Sequence, residues 1–129
     1  MRHATCRCGA VRASVAGEPV RVSVCHCNAC KRRTGSAFGF NATWPDAAVT
    51  ITGDRRRWSR IADSGGEVRY DFCAACGSTV AYTLDARPGM ISLPVGGFAD
   101  SGFPPPQVEI YGEQAQAGIG RQLDDDAQE

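Results

Sequence analysis

The stretch Cys25-His26-Cys27-Asn28-Ala29-Cys30 places three thiols within six residues. In an extended chain, residues two apart point the same way, so Cys25 and Cys27 can reach one metal ion. The step on to Cys30 has metal-knuckle spacing and returns a third sulfur to the same ion. Three protein thiolates around a tetrahedral ion leave its fourth position open, which marks a reactive site rather than a closed structural one. Cys25, Cys27 and Cys30 are therefore the candidate catalytic residues. His26 falls on the opposite parity with Val20, Val22 and Val24, so it is expected to be a hydrogen-bonded core histidine, not a fourth ligand. Lys31, Arg32 and Arg33 follow directly. Singly each is best taken as a solvated charge, but as a group beside an anionic metal–thiolate they are candidates to hold a substrate carboxylate.

The four other cysteines come as two pairs, Cys6-Arg7-Cys8-Gly9 and Cys73-Ala74-Ala75-Cys76-Gly77. Joined, they close a four-sulfur tetrahedron and staple the start of the chain to a distant hairpin. Structural zinc of that kind contributes on the order of 10 kcal/mol to folding in small domains. The competing pairing gives Cys25, Cys27 and Cys30 one distal cysteine and splits the remaining three. The first is preferred because it keeps both pairs whole, and it predicts two zinc ions per chain. A thiolate tetrahedron suits zinc, although spacing alone also allows an iron–sulfur cluster.

The elements that must position these thiols are short strands. Val11, Ala13 and Val15 alternate with polar residues, and Val20, Val22 and Val24 run straight into the first thiol cluster. Lys31 to Ser36 is expected to be a basic loop with room for one helical turn. Phe38, Phe40, Ala42 and Trp44 share one parity up to Pro45, and Val49 with Ile51 gives a short strand closed by Gly53-Asp54. Arg55, Arg56 and Arg57 are expected to be a solvated edge. Val68, Tyr70 and Phe72 alternate into Cys73, Val80, Tyr82 and Leu84 lead out of the knuckle, and Ile91, Leu93 and Val95 form another strand. Phe98 and Phe103 fall in a loop between Gly96-Gly97 and Pro104-Pro105-Pro106, and Val108 with Ile110 makes a last strand. Helical periodicity is weak, so the expected class is all-β, with antiparallel sheets and glycine-rich turns. Residues 1–112 are expected to be one zinc-binding β domain. Apolar residues thin out beyond it, and 113–129, with Asp124-Asp125-Asp126, is expected to be a flexible tail.

At 129 residues the chain is long enough for one core. Its 14 basic and 14 acidic residues balance, so no global field favours nucleic acid or an anionic membrane. No apolar run approaches the roughly 20 residues needed to span a bilayer, and the N-terminus lacks a secretory h-region. Seven cysteines, an odd number, suit metal sites better than a disulfide framework. The expected location is the cytoplasm, where thiols stay reduced. Neither a nucleic acid nor a membrane is expected as a partner.

These elements together resemble the glutathione-dependent formaldehyde-activating enzymes, also called S-(hydroxymethyl)glutathione synthases, whose relatives include centromere protein V. The resemblance rests on Cys6-x-Cys8-Gly9, on Cys25-His26-Cys27-x-x-Cys30 followed by Thr34-Gly35-Ser36-Ala37-Phe38, and on Phe72-Cys73-x-x-Cys76-Gly77. It implies a β-tent-like fold of twisted sheets, a structural zinc on Cys6, Cys8, Cys73 and Cys76, and a second zinc on Cys25, Cys27 and Cys30 where a glutathione thiol binds. The activity implied is carbon–sulfur lyase chemistry, forming a hemithioacetal from glutathione and formaldehyde. Family members commonly carry an Arg-x-x-Trp-like segment after the last strand; here Gln114-Ala115-Gln116-Ala117-Gly118-Ile119 stands there, leaving the pocket without that wall. The rival readings are a non-catalytic zinc-binding interaction module and a thiol or metal sensor. A module of this kind would have no rate above background, and a sensor would hold its metal loosely and lack affinity for glutathione.

Overall fold

Residues 1–119 are described in the computed structural model, as ten strands and one α-helix. In order these are Arg2–Thr5 (β1), Arg12–Val15 (β2), Arg21–Cys25 (β3), Asn28–Thr34 (α1), Gly39–Pro45 (β4), Val49–Thr52 (β5) and Arg55–Ile61 (β6). Glu67–Cys73 (β7), Thr79–Leu84 (β8), Met90–Pro94 (β9) and Val108–Ile110 (β10) complete the set. The fold is mainly β, as the alternation predicts. β1, β2 and β5 form a three-stranded sheet, and the other seven strands pair in the order β10-β3-β4-β9-β8-β7-β6. Pairing is antiparallel throughout, apart from β10, which lies parallel to β3 with Val108 opposite Ser23. The proline-rich loop after Phe103 carries the chain back to the outside of β3 in the same direction, the long connection that a parallel pair requires. Asp124-Asp125-Asp126 and most of the expected tail lie outside the described residues.

The core sits between the small sheet and one face of the large one. Ala13 and Val15 of β2 meet Val22 of β3, Ala42 and Trp44 of β4, and Leu93 of β9. Trp44 is fully buried and its Nε1 donates to the carbonyl of Gly17 at 3.1 Å, so its polar edge is satisfied. Phe98 and Phe103, placed in a loop by sequence, pack on Trp44 with ring centroids 5.6 and 6.4 Å away. At the turn between β5 and β6, Gly53 has φ 112°, and a Cβ there would lie 2.3 Å from the carbonyl oxygen of Ala10. That close approach presses the turn against the loop that carries Cys8.

The opposite face of the large sheet is polar and nevertheless buried at its centre. Ser23, Asn41, Thr43 and Ser92 are all nearly inaccessible, and the Thr43 and Ser92 hydroxyls bond at 2.7 Å. Alternation marks such residues as solvent-facing. Here residues of β6, β7, β8 and α1 enclose a cleft over this face, with Ser23 and Asn41 of the polar row in its floor. Arg55, Arg56 and Arg57 do lie on an edge strand, β6, with Arg56 and Arg57 exposed.

Candidate metal centres and the cleft between them

The basic segment carries the one helical turn that sequence allowed for it, as the end of a longer helix that starts before it. α1 covers Asn28–Thr34, with Cys27 as its N-cap and Gly35 closing it at φ 66°. The Cys27 sulfur accepts from the Cys30 amide at 3.3 Å, so the ligand spacing and the helix start are one feature. Gly35 supplies the left-handed residue that ends a helix, and three successive cations in the last turn face its carbonyl end.

The three sulfurs of Cys25, Cys27 and Cys30 lie within 4.8 Å of one another, and those of Cys25 and Cys27 are 3.3 Å apart. Among the described residues no histidine or carboxylate joins them. His26 is buried and turns away, with its Nε2 3.0 Å from Glu109 Oε1 on β10. It is a core histidine, as its parity predicts.

Cys6, Cys8, Cys73 and Cys76 form the second cluster, again within 4.8 Å. Cys6 and Cys73 are buried, whereas Cys8 and Cys76 are exposed. The cluster ties the β1–β2 loop to the β7–β8 turn, the pairing that keeps both cysteine pairs whole. Val11 donates its amide to the Cys6 sulfur at 3.3 Å, and Ala75 and Cys76 donate theirs to Cys73 at 3.3 and 3.4 Å. Ser78, which sequence reasoning passed over, places its hydroxyl 3.3 Å from the Cys76 sulfur and accepts from the Arg7 amide. Its position directly after Cys76-Gly77 was the available signal.

These donors fit a metal ion. Amides aimed at sulfur stabilise thiolate rather than thiol. Thiols this close cannot all ionise without a cation among them. A hydrogen bond from Cys30 draws the Cys25 thiol down to about 5, while that same bond and burial push Cys30 up. In the second cluster the Ser78 hydroxyl and amide pull Cys76 down to about 5. At Cys8 the Ala10 amide lowers the pKa, but crowding by Cys6, burial and the other two sulfurs outweigh it and raise the thiol to about 11. Both clusters can hold a metal ion, and an all-sulfur donor set suits zinc.

The two clusters differ in what lies beside them. Cys25, Cys27 and Cys30 open into a cleft of about 440 Å³, and the other four cysteines do not border it. Val68, Tyr70, Tyr82 and Leu84 form its wall on β7 and β8, Asn41 lies in its floor, and Tyr111 and Gln114 border it from the C-terminal side. Successive helical residues point about 100° apart, so the three cations of α1 do not act together. Arg32 and Arg33 line the cleft. Lys31 instead bonds through Nζ to the carbonyl oxygen of Gln114, whose side chain also accepts from the Asn28 amide at 2.9 Å. The Arg33 guanidinium lies over Tyr70 and Tyr82, 5.2 and 5.7 Å from the ring centroids. Arg60, which no sequence signal singled out, enters the cleft from β6.

The fold and site define a mainly β protein with one four-cysteine cluster and one three-cysteine cluster that opens into a cleft, each able to hold a metal ion. The chain belongs to the glutathione-dependent formaldehyde-activating enzyme family, whose sequence profile matches residues 1–114. Family membership places it with enzymes of glutathione-dependent formaldehyde chemistry. A crystal structure of a Rhodobacter sphaeroides protein is similar in fold, with a TM-score of 0.62 and 20% identity over 84% of this chain and 98% of that chain. No curated protein matches the sequence. Among the described residues no helix is long and apolar enough to cross a membrane.

Proposed function

We propose that the protein joins a small thiol, glutathione foremost, to formaldehyde or another small aldehyde, acting as an S-(hydroxymethyl)glutathione synthase-like carbon–sulfur lyase. The observation that carries this reading is the three-cysteine cluster facing a cleft of about 440 Å³, with no fourth protein ligand among the described residues. A zinc ion on Cys25, Cys27 and Cys30 would supply a position at which an incoming thiol is held as its thiolate. The second zinc belongs to Cys6, Cys8, Cys73 and Cys76 and is structural.

The reaction needs no redox partner. A sulfur lone pair forms the S–C bond, the carbonyl π pair moves to oxygen, and that oxygen takes up a proton as the thiol releases its own. Among the described residues there is no Ser-His-Asp set for this, and His26 is engaged with Glu109, so the protein's contribution is positioning. Tyr70, Tyr82, Val68 and Leu84 exclude water along one wall. Arg32 and Arg33 receive substrate carboxylates there, while Lys31 holds the helix to the C-terminal segment. Seven reduced cysteines suit the cytoplasm.

The test is the rate of hemithioacetal formation from glutathione and formaldehyde by protein loaded with zinc at both clusters. A rate above the uncatalysed background that disappears in Cys27→Ser is expected. No excess rate with both clusters filled would replace catalysis with the reading as a non-catalytic zinc module.

A further inference from the structure

Three arginines outside the cleft have carboxylate partners, Arg2 with Glu18 and Asp100, Arg57 with Asp71, and Arg69 with Glu67 and Asp85, while Arg7, Arg12, Arg56 and Arg87 are exposed to solvent and pair with no carboxylate among the described residues. Among the described residues Arg33 and Arg60 have none, although both line the cleft. They reach the same side chain from different elements. Arg33, on α1, lies over the rings of Tyr70 and Tyr82, and its buried Nε has no hydrogen-bond partner. Arg60, on β6, directs Nε to the Tyr70 hydroxyl at 3.4 Å. Two guanidinium groups thus converge on one buried tyrosine, where like charges repel and water screens them less than at a surface. Gly39, buried on β4, lies between Arg33 and Cys30. A Cβ there would lie 3.4 Å from Arg33 Nη2 and 3.5 Å from Cys30 Cβ, so the arginine and the third ligand border the same space.

We propose, resting on the thiol-binding reading above, that Arg33 and Arg60 are the specificity-determining pair of this cleft. They take a carboxylate of the thiol substrate over Tyr70 while its sulfur lies at Cys25, Cys27 and Cys30. The enzyme thereby selects anionic thiols. The forked guanidinium donors match a carboxylate's two oxygens, and the carboxylate supplies the counter-ion that the protein withholds. Of the two acidic residues at the cleft, Glu67 is already engaged by Arg69, and Asp63 acts on Arg60 through space but bonds to neither arginine.

Three thiols test this on the zinc-loaded full chain: glutathione, its diethyl ester and 2-mercaptoethanol. KM for glutathione is expected to rise about tenfold or more in Arg60→Met and in Arg33→Met with a smaller change in kcat, as loss of a charge-assisted contact requires. KM for the two thiols without carboxylates should hardly move. Tyr70→Phe keeps the ring under Arg33 but drops the hydroxyl that holds Arg60, and should give an intermediate rise. The pair is overturned if wild-type protein takes the diester as readily as glutathione, or if all three thiols lose KM equally in the variants. Arg60→Met, on an edge strand, and the wild-type comparison keep the test independent of whether Arg33→Met folds. Cobalt-substituted protein separates the two levels of the argument. An absorption band that answers every thiol with the same affinity, whatever its charge, removes the arginine pair and leaves the thiol site standing. A band that answers none removes the thiol site, and the pair with it.

Discussion

The seven cysteines fall into two clusters, and the residues beside each sulfur differ between them. Cys73 is buried under two amide donors and anchors a turn to a distant loop. Cys27 caps a short helix and faces a cleft. Removing a ligand from the closed cluster opens a cross-link between elements far apart in sequence, whereas removing one from the open cluster disturbs a single helix end. Thermal unfolding of the zinc-loaded variants should show Cys76→Ser melting far below wild type and Cys27→Ser only slightly below it. Thiol binding should be lost in Cys27→Ser alone. Equal falls in melting temperature would end the division into a structural and a functional cluster. Ser78→Ala should show a smaller loss in the same direction as Cys76→Ser, because the Cys76 thiolate keeps its amide donors but loses the hydroxyl.

Among the elements, the segment after β10 has a role its composition hides. Gln114 caps the start of α1 through the Asn28 amide and accepts from Lys31, so the last described turn clamps the helix that presents Cys30. Gln114→Ala should therefore speed amide hydrogen exchange at Asn28 and loosen α1 while the sheet keeps its protection. Uniform exchange throughout would show that the clamp is not local. The β5–β6 turn makes the opposite kind of prediction. Gly53→Ala drives a methyl group into the Ala10 carbonyl at a positive φ, and should cost more than about 2 kcal/mol in denaturant titrations. An unchanged midpoint would mean that the turn is free to move off the Cys8 loop.

For the whole molecule, the core is small. It consists of one fully buried tryptophan with Phe103, Ile91, a leucine, valines and alanines between two sheets. A core of that size leaves much of the stability to the staple formed by Cys6, Cys8, Cys73 and Cys76. Protein purified without chelator should carry about two zinc ions by elemental analysis, one for each thiol cluster. Chelation should remove the ion of the open cluster first and leave the fold intact, then unfold the domain as the second ion leaves. A single ion, or iron in place of zinc, would overturn this assignment.

Both metal clusters and most strands were legible in the sequence because they depend on short-range geometry. Ligands two or three residues apart converge through local backbone shape, and alternation of apolar residues shows which positions of a strand enter the core. His26 followed from the same parity. The helical start at Cys27 was equally local, yet the missing apolar periodicity in a seven-residue helix concealed it. Other features belong to the tertiary structure alone. Ser23, Asn41, Thr43 and Ser92 have the pattern of a solvent face, and only the curl of the seven-stranded sheet buries them. Tyr70 and Tyr82 occupy ordinary strand positions, and nothing local tells which side of the sheet will hold a cleft. Arg33 and Arg60 come from a helix and an edge strand that meet only when that sheet folds over. The sequence by itself determined which atoms can bind metal. The path of the sheet decided which charges face those atoms, because that depends on contacts between residues far apart in the chain.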